Sequence, residues 1–364
     1  MIPASFMFEA LPARVRFGSG SIAAIGSEAA RLSLRRLLVL CTPQQEEQAM
    51  DVAAALGNRS VGIFSRAAMH TPTDITAQAL EVAGDLGADG LVSVGGGSAI
   101  GLGKAIALNT GLRHIAVPTT YAGSEATPIL GQTEGGIKTT QRTLKVLPDV
   151  IVYDVDFTMT LPVAMSMTSG LNALAHAAEA LYAPDANPIV DMMAEQAIAA
   201  LLRALPAIHA APGDRDARSL ALFGAWLCGA CLGSVGMGLH HKICHVLGGT
   251  FDLPHAETHA AMLPHSLAYN LPYAPAARVR LGMLLDSADP AGGLEALARS
   301  IGTPRALRDL GMPEHGIDRA ADLAVANPYP NPRPLERDAI AAMLRRAWAG
   351  QGPAEDPVVA NAGI

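Results

Sequence analysis

The sequence predicts two domains of different class. An N-terminal α/β domain with a parallel sheet covered by helices is followed by an all-α C-terminal domain. Three observations carry this. As far as about residue 158, short apolar runs alternate with stretches of helical periodicity, the rhythm of a parallel sheet covered on both faces. One of those runs passes straight into Gly95-Gly96-Gly97-Ser98, a turn whose lack of side chains lets backbone approach a phosphate. Beyond Leu161-Pro162 nearly every segment has helical spacing, and residues 238–270 hold six of the chain's eleven histidines. The expected division is therefore 1–158 for the α/β domain, 159–352 for the helical domain, and 353–364 as a Pro-, Ala- and Gly-rich tail expected to be poorly ordered.

In order along the chain, a short leading segment ends in FGSG and a helix is expected from Ser21 to Arg31. Leu37 to Cys41 and Ser60 to Phe64 have the brevity of interior parallel strands. Thr71-Pro72 opens a helix over Thr73 to Leu86, with Ile75, Ala79, Leu80, Ala83 and Leu86 on one face. Leu91 to Val94 is a third strand, the glycine turn leads into a helix from Ala99 to Leu108, and Ile115 to Val117 is a fourth strand. A hairpin around Glu134-Gly135-Gly136 and a strand at Val150 to Tyr153 complete this half. Helices then follow over Ser166 to Tyr182, Ile189 to Leu205, Asp216 to Leu232, the His-rich segment, Ala276 to Asp286, Gly293 to Ile301, Ala320 to Ala326 and Glu336 to Ala349.

Composition narrows the function. Half the residues are hydrophobic and only 4% aromatic, the net charge is −7, and no Lys/Arg run tracks a phosphate backbone, which argues against a nucleic-acid partner. Cys41, Cys228, Cys231 and Cys244 are too few for a disulfide framework, and one CxxC lacks a second pair at zinc-ribbon spacing; buried thiols in a reducing cytoplasm are expected. Between Arg218 and His240 there is no charge, a span long enough to imitate a membrane helix. Five glycines and the absence of an aromatic belt favour a buried core helix instead, so no membrane partner is expected.

The His-rich stretch GLHHKICHVLGGTFDLPHAETHAAMLPHSLAYN is where chemistry is expected. His241 and His245, four apart, share one helix face. Gly248, Gly249 and Pro254 are expected to break the helix so that His255 folds back toward them. Such a cluster suits a divalent metal, a proton relay or an anion pocket. His240, His259 and His265 read better as core histidines with backbone or side-chain partners. The Gly95–Ser98 turn is neither a GxGxxG fingerprint nor a Walker A loop, because Lys104 comes too late and no Ser or Thr follows it.

Taken together, several motifs resemble one family. Gly95-Gly96-Gly97-Ser98 with Lys104, Pro118-Thr119-Thr120 followed by Gly123-Ser124-Glu125, the segment SGLNALAHAAEALY, and GLHHKICHVLGG with LPHAE stand colinear with the motifs of the iron-containing (group III) alcohol dehydrogenases, whose architecture is dehydroquinate synthase-like. The resemblance implies a cleft between a Rossmann-like, dinucleotide-binding α/β domain and a helical domain, NADH or NADPH as cofactor, a cytoplasmic enzyme and a homodimer. It also implies that Gly95, Gly96, Gly97 and Ser98 hold the pyrophosphate, with Thr119, Thr120, Ser124 and Lys138 lining the rest of the site. The strand ending at Cys41 is followed by Thr42-Pro43-Gln44-Gln45, without the acid that would hold a ribose and repel a 2′-phosphate. Thr42 is thus a cofactor-site candidate, and use of both NADH and NADPH is expected.

In metal-dependent members of that family an Asp and three His hold the metal. The resemblance maps these positions to Asn172, His176, His241 and His255. A neutral amide contributes no charge to a hard cation, so no metal is expected and the four residues are read as a vestigial pocket. A second departure is Gly101, where the family's motif has an Asp. With the wording GLGKAIALNTG, TYAGSEATPI and TEGGIKTT, both departures resemble the branch that reduces maleylacetate to 3-oxoadipate in aromatic-compound degradation without a bound metal. An enone accepts hydride at the alkene carbon and develops charge on an enolate oxygen, which imidazoles can steady in place of a Lewis acid. His176, His241, His245, His255 and Lys242 are then catalytic candidates, and Arg142, Asn172, His176 and His241 substrate-binding candidates. The alternative in the same class is an iron- or zinc-dependent alcohol or polyol dehydrogenase that tolerates Asn172. A cyclase of the same fold acting on a sugar phosphate is disfavoured by the sparse Lys/Arg set, and a silent binding protein by the density of histidines.

Overall fold

The computed structural model describes residues 5–135 and 137–355; residues 356–364 of the expected tail lie outside the described residues. The described residues form two compact units, residues 10–162 with 212–222, and residues 5–9, 163–211 and 223–355.

In the α/β unit, six strands form one parallel sheet: β1 (Arg14–Phe17), β2 (Leu37–Leu40), β3 (Ser60–Phe64), β4 (Gly90–Gly95), β5 (Arg113–Pro118) and, after a separate hairpin of β6 (Ile129–Glu134) and β7 (Ile137–Arg142), β8 (Val150–Tyr153). Their spatial order is β1-β8-β5-β4-β2-β3. Helices α1 (Ile25–Arg31), α2 (Glu46–Leu56), α3 (Thr73–Asp85) and α4 (Gly97–Thr110) connect them. Alternation along the strands sends side chains into two cores. Leu37, Val39, Val92, Val94, Ile115 and Val117 pack with Ile25, Ala29 and Val52 on the face of α1 and α2. Leu38, Leu40 and Leu91 pack with Ala79, Ala83, Leu102 and Ile106 on the face of α3 and α4. Burial on both faces explains why these strands read as unbroken apolar runs.

The second unit is helical: α5 (Val163–Ala180), α6 (Pro188–Ala210), α7 (Arg215–Ser234), α8 (Leu239–Phe251), α9 (His255–Asn270), α10 (Pro275–Leu285), α11 (Pro290–Ser300), α12 (Gly316–Val325) and α13 (Arg337–Ala349), with the first turns of α7 clustering with the α/β unit. Helix α7 is long and apolar enough to cross a membrane by length and composition alone, and 56% of its most apolar window is buried within the protein.

Three features differ from the sequence reading. The leading segment contains a strand, β1, paired in register with β8 from Arg14↔Val150 to Phe17↔Tyr153. Its alternating Arg14 and Arg16 conceal it, and both reach the buried Glu28 carboxylate at 2.9 and 2.8 Å. Gly248 and Gly249 do not end a helix: α8 continues through them to Phe251, and the break comes at Asp252, left-handed at φ 55°, and at Pro254. Glycine lowers helix propensity by about 1 kcal/mol, which neighbouring packing overrides, whereas a left-handed residue ends the helix outright. Finally, the α/β unit is not contiguous, because Pro212–Leu222 clusters with it. Arg218, 1% exposed, holds that segment there, donating to the carbonyls of Pro212, Thr158 and Leu161 at 2.7, 2.5 and 3.1 Å.

Candidate active site

The glycine turn sits at the C-terminal edge of the parallel sheet, where β4 runs into α4. Gly95 has φ +144°, and a Cβ there would meet Gln45 Oε1 at 2.3 Å. A Cβ on Gly96 would meet Thr120 at 2.9 Å. Gly97 opens α4 without a side-chain cap on Gly96, so its first N–H groups face outward as an anion site. Around this turn Thr42 Oγ1 donates to Gln45 Oε1 (3.1 Å) and Gln45 Nε2 donates to Thr119 Oγ1 (2.8 Å). Ser124 Oγ is buried without a hydrogen-bond partner among the described residues, 3.9 Å from where a Cβ on Gly97 would stand. A side-chain-free cradle, open helix N–H groups and an orphan hydroxyl fit a dinucleotide pyrophosphate. Thr42, Gly95, Gly96, Gly97, Thr119, Thr120 and Ser124 thus meet in one place, and Ser98 stands in the first turn of α4. Lys138 pairs with Thr133 in the β6–β7 hairpin; its side chain lies outside the described residues.

Two residues near the turn have structural explanations that the sequence did not reveal. Lys104, 1% exposed, donates from Nζ to the carbonyls of Ser124, Thr127 and Ile129 (2.6, 2.8 and 2.9 Å) and to Thr127 Oγ1 (3.0 Å). It ties down the segment that carries Ser124. Burial lowers its pKa and the Glu125 carboxylate opposes the drop. At Gly101 a Cβ would stand 2.3 Å from Thr71 Oγ1, so the Asp of the wider family has no room unless Thr71 moves.

The histidines gather within the helical unit. α5 supplies His176, α8 supplies His240, His241 and His245, and α9 supplies His255 and His259. His176 Nδ1 and His241 Nε2 are 2.7 Å apart. Ring centroids of His241 and His245, of His245 and His255, and of His255 and His259 lie 6.4, 6.4 and 4.4 Å apart. His241 is buried, His255 half-buried and His245 exposed. His245 therefore stands at the outer rim of the cluster. Lys242 is half-buried with Nζ 5.9 Å from the Tyr329 ring centroid, and Arg142 is exposed at the end of β7.

Behind this row lies a second layer. His240 Nδ1 meets Ser266 Oγ at 2.8 Å, and His240 Nε2 meets His259 Nδ1 at 3.0 Å. His240, Cys244 and His259 have donor atoms within 4.8 Å of one another, the spacing of a metal trio. Hydrogen bonds occupy both ring nitrogens of His240 and Nδ1 of His259, while His259 Nε2 is buried without a hydrogen-bond partner among the described residues; burial pushes the Cys244 thiol well up and both imidazoles well down. His265 is likewise buried and pushed down to about 4 by burial.

Sequence reasoning did not single out Glu179. It is 1% exposed and lies three residues after His176 on α5, one helical turn along the same face. Its Oε1 accepts the backbone N–H of His240 (2.9 Å), and its Oε2 accepts the backbone N–H of His241 (3.3 Å) and His241 Nδ1–H. The signal was present in the sequence: Glu179 is the one charged residue in an otherwise small and apolar helix.

Asn172, His176, His241 and His255 are the positions that the resemblance assigns to a metal. Two nitrogens bound to one zinc at about 2.0–2.1 Å stand roughly 3.4 Å apart and both offer lone pairs. His176 and His241 instead approach to 2.7 Å, the separation of a donor and an acceptor sharing a proton. Asn172 adds no charge, and its buried Oδ1 has no hydrogen-bond partner among the described residues, leaving an acceptor for a donor from outside the chain.

Comparison with known proteins places this geometry in a family. Residues 12–155 match the iron-containing alcohol dehydrogenase family and residues 166–348 match the C-terminal part of the Fe-containing alcohol dehydrogenase family. The chain is 53% identical over 348 residues to the maleylacetate reductase of Sphingobium indicum, covering 96% of this chain and 99% of that one. The crystal structure of maleylacetate reductase from Agrobacterium tumefaciens is similar with a TM-score of 0.93 at 53% identity, over 96% of this chain and all of that one. An iron-containing alcohol dehydrogenase from Corynebacterium glutamicum superposes with a TM-score of 0.92 at 42% identity, over 97% of this chain and 99% of the other. With both halves matched and full-length relatives above half identity, the chain belongs to the iron-containing alcohol dehydrogenase family.

Proposed function

We propose that this protein is an oxidoreductase that reduces the C=C bond of maleylacetate to 3-oxoadipate with NADH or NADPH, without a catalytic metal, as a step in aromatic-compound degradation. The observation that carries the reading is its 53% identity, over nearly the whole of both chains, to enzymes named maleylacetate reductase. Asn172 supports the metal-independent form, since it removes the anionic ligand on which a divalent cation would rely. When bound, the reduced nicotinamide supplies a hydride; Gly95, Gly96, Gly97, Ser98, Thr42, Thr119, Thr120, Ser124 and Lys138 hold its dinucleotide.

The residues of the chain supply the rest. Reduction adds one hydride and one proton across the alkene, and the charge that develops meanwhile rests on an oxygen conjugated to it. With a proton added at His176 Nε2, the His176–His241 pair offers hydrogen-bond donation to that oxygen or to a substrate carboxylate. Asn172 Oδ1 accepts a hydrogen bond beside them, and His255 borders the pair. Exposed His245, with Lys242, is suited to carboxylate recognition and to exchange of the proton with solvent, and Arg142, exposed at the end of β7, is a further carboxylate-binding candidate. The absence of an acid after β2 favours acceptance of both cofactors. A homodimer in the cytoplasm, with all four cysteines as buried free thiols, accords with this reading.

The test is loss of NADH absorbance with freshly prepared maleylacetate, with and without a strong chelator. Rapid oxidation unaffected by chelator is expected, with NADPH also accepted. No turnover of maleylacetate, together with chelator-sensitive oxidation of simple alcohols, would overturn the reading.

A further inference from the structure

We propose that Glu179 is the positioning residue of the site: it fixes His241 as the Nδ1–H tautomer and so sets the direction of hydrogen bonding through His241 to His176. The inference deepens the reductase reading, on which only its kinetic arm rests.

The argument starts from the carboxylate. Oε1 accepts from the His240 backbone at 2.9 Å and Oε2 from the His241 backbone at 3.3 Å. With an N–H already directed at each oxygen, the group is built to be an acceptor only. The ring atom against Oε2 is His241 Nδ1, which must therefore carry the hydrogen. In the neutral ring His241 Nε2 is then a lone pair. The atom 2.7 Å from it is His176 Nδ1, which must be the donor, leaving His176 Nε2 as the acid–base end of the chain. Among the described residues the ion pair recorded for Glu179 is with His241, so its buried charge acts along this chain and not toward an Arg or Lys. A carboxylate holding one imidazole in a chosen tautomer while that imidazole orients the next group is the logic of a catalytic triad. Here the next group is a second imidazole.

Glutamine at this position has one oxygen and one N–H₂ facing donors on both sides. Either the His240 backbone N–H loses its acceptor, or the amide donates to His241 Nδ1 and the ring switches to Nε2–H. The second arrangement keeps the shorter backbone contact, from His240 at 2.9 Å, gives up the longer one, from His241 at 3.3 Å, and reverses the whole chain, so that His241 donates to His176 Nδ1.

The experiment is long-range ¹H–¹⁵N correlation on enzyme labelled with ¹⁵N-histidine, with His241 assigned by its loss in His241→Asn. The Nδ1–H form is expected in the wild-type protein and Nε2–H in Glu179→Gln. In the kinetic arm kcat for maleylacetate is expected to fall by about 10- to 100-fold in Glu179→Gln, with KM for NADH within about threefold. An Nε2–H tautomer in the wild-type protein, or no change of tautomer in Glu179→Gln, overturns the proposal. The wild-type spectrum alone decides the matter if the variant does not fold. Absence of any maleylacetate turnover would instead count against the reductase reading and leave the tautomer result standing.

Discussion

Replacing Lys104 with Met keeps an unbranched stem in α4 and deletes only the ammonium. Four acceptors lose their donor: three carbonyls, of Ser124, Thr127 and Ile129, and Thr127 Oγ1, all between 2.6 and 3.0 Å from Nζ. Glu125, fully buried and bonded by the Tyr153 hydroxyl at 2.8 Å, loses the cation that lowers its pKa against the upward push of burial. Breaking a buried pair by removing one partner costs about 3–5 kcal/mol, because the remaining charge and acceptors stay buried. At about 2–4 °C per kcal/mol for a unit of this size, the melting temperature should drop by on the order of 10 °C. NADH affinity, followed by quenching of cofactor fluorescence, should weaken with it, since the freed segment carries Ser124. Adding Glu125→Gln should restore part of the loss, giving a coupling of roughly 1 kcal/mol or more in a double-mutant cycle. A melting temperature within about 2 °C of wild type, or strict additivity of the two substitutions, would refute the view that Lys104 is a charged strut.

Two further substitutions probe the other sites. Asn172→Asp returns a carboxylate to the helical cluster; the metal-free variant should lose about 2–4 kcal/mol through its buried charge and recover about 3 kcal/mol at zinc a hundredfold above Kd. Calorimetry with metal analysis after dialysis checks this, and a variant that retains no zinc would sink the idea that Asn172 is what denies the pocket a cation. Acid should destabilise the protein through its buried histidines. Burial pushes His114, bonded to Ser93 Oγ at 2.8 Å, down to about 3, whereas an unfolded histidine titrates near 6.5. Below about 6.5 the unfolded chain takes up a proton that the folded chain refuses. Stability is therefore fully present above that value and falls as pH drops toward 3, by roughly 2.5 kcal/mol at pH 4.5 from this residue. Urea midpoints across that range should slope less steeply in His114→Gln; equal slopes would show that His114 is not the group responsible.

Much of this fold was legible because parallel strands buried on both faces appear as short apolar runs. Leu37 to Leu40 announces itself in that way, whereas Ser60 to Phe64 is an edge strand, half-buried except at Phe64, and is read from its brevity and apolar end. β1 does not, because Arg14 and Arg16 give an edge strand the look of a polar lead-in until Glu28 is placed beside them. α2 went unassigned because its buried face is narrow, formed by Ala49, Val52 and Leu56 alone. In the site, Asn172, His176, His241 and His255 could be named from motif alone. Glu179 could not, because the meaning of a lone acid depends on which backbone it faces, and that is decided by the packing of α5 against the start of α8. Lys104 was judged by its distance from the glycine turn along the chain, whereas its long stem reaches the loop that follows β5.

The placement of Pro212–Leu222 bears on how this protein can be taken apart. Its α/β unit is assembled from two stretches separated by 49 residues of helical unit, with Arg218 seated on the Thr158 and Leu161 carbonyls. A gene fragment ending near residue 162 therefore encodes an unfinished object with unfilled acceptors at its last turn. Nor can the nucleotide half be grafted onto another scaffold as one uninterrupted cassette. Recombination between relatives would have to keep both stretches from the same parent, so that inheritance couples a piece of the helical sequence to the half it completes.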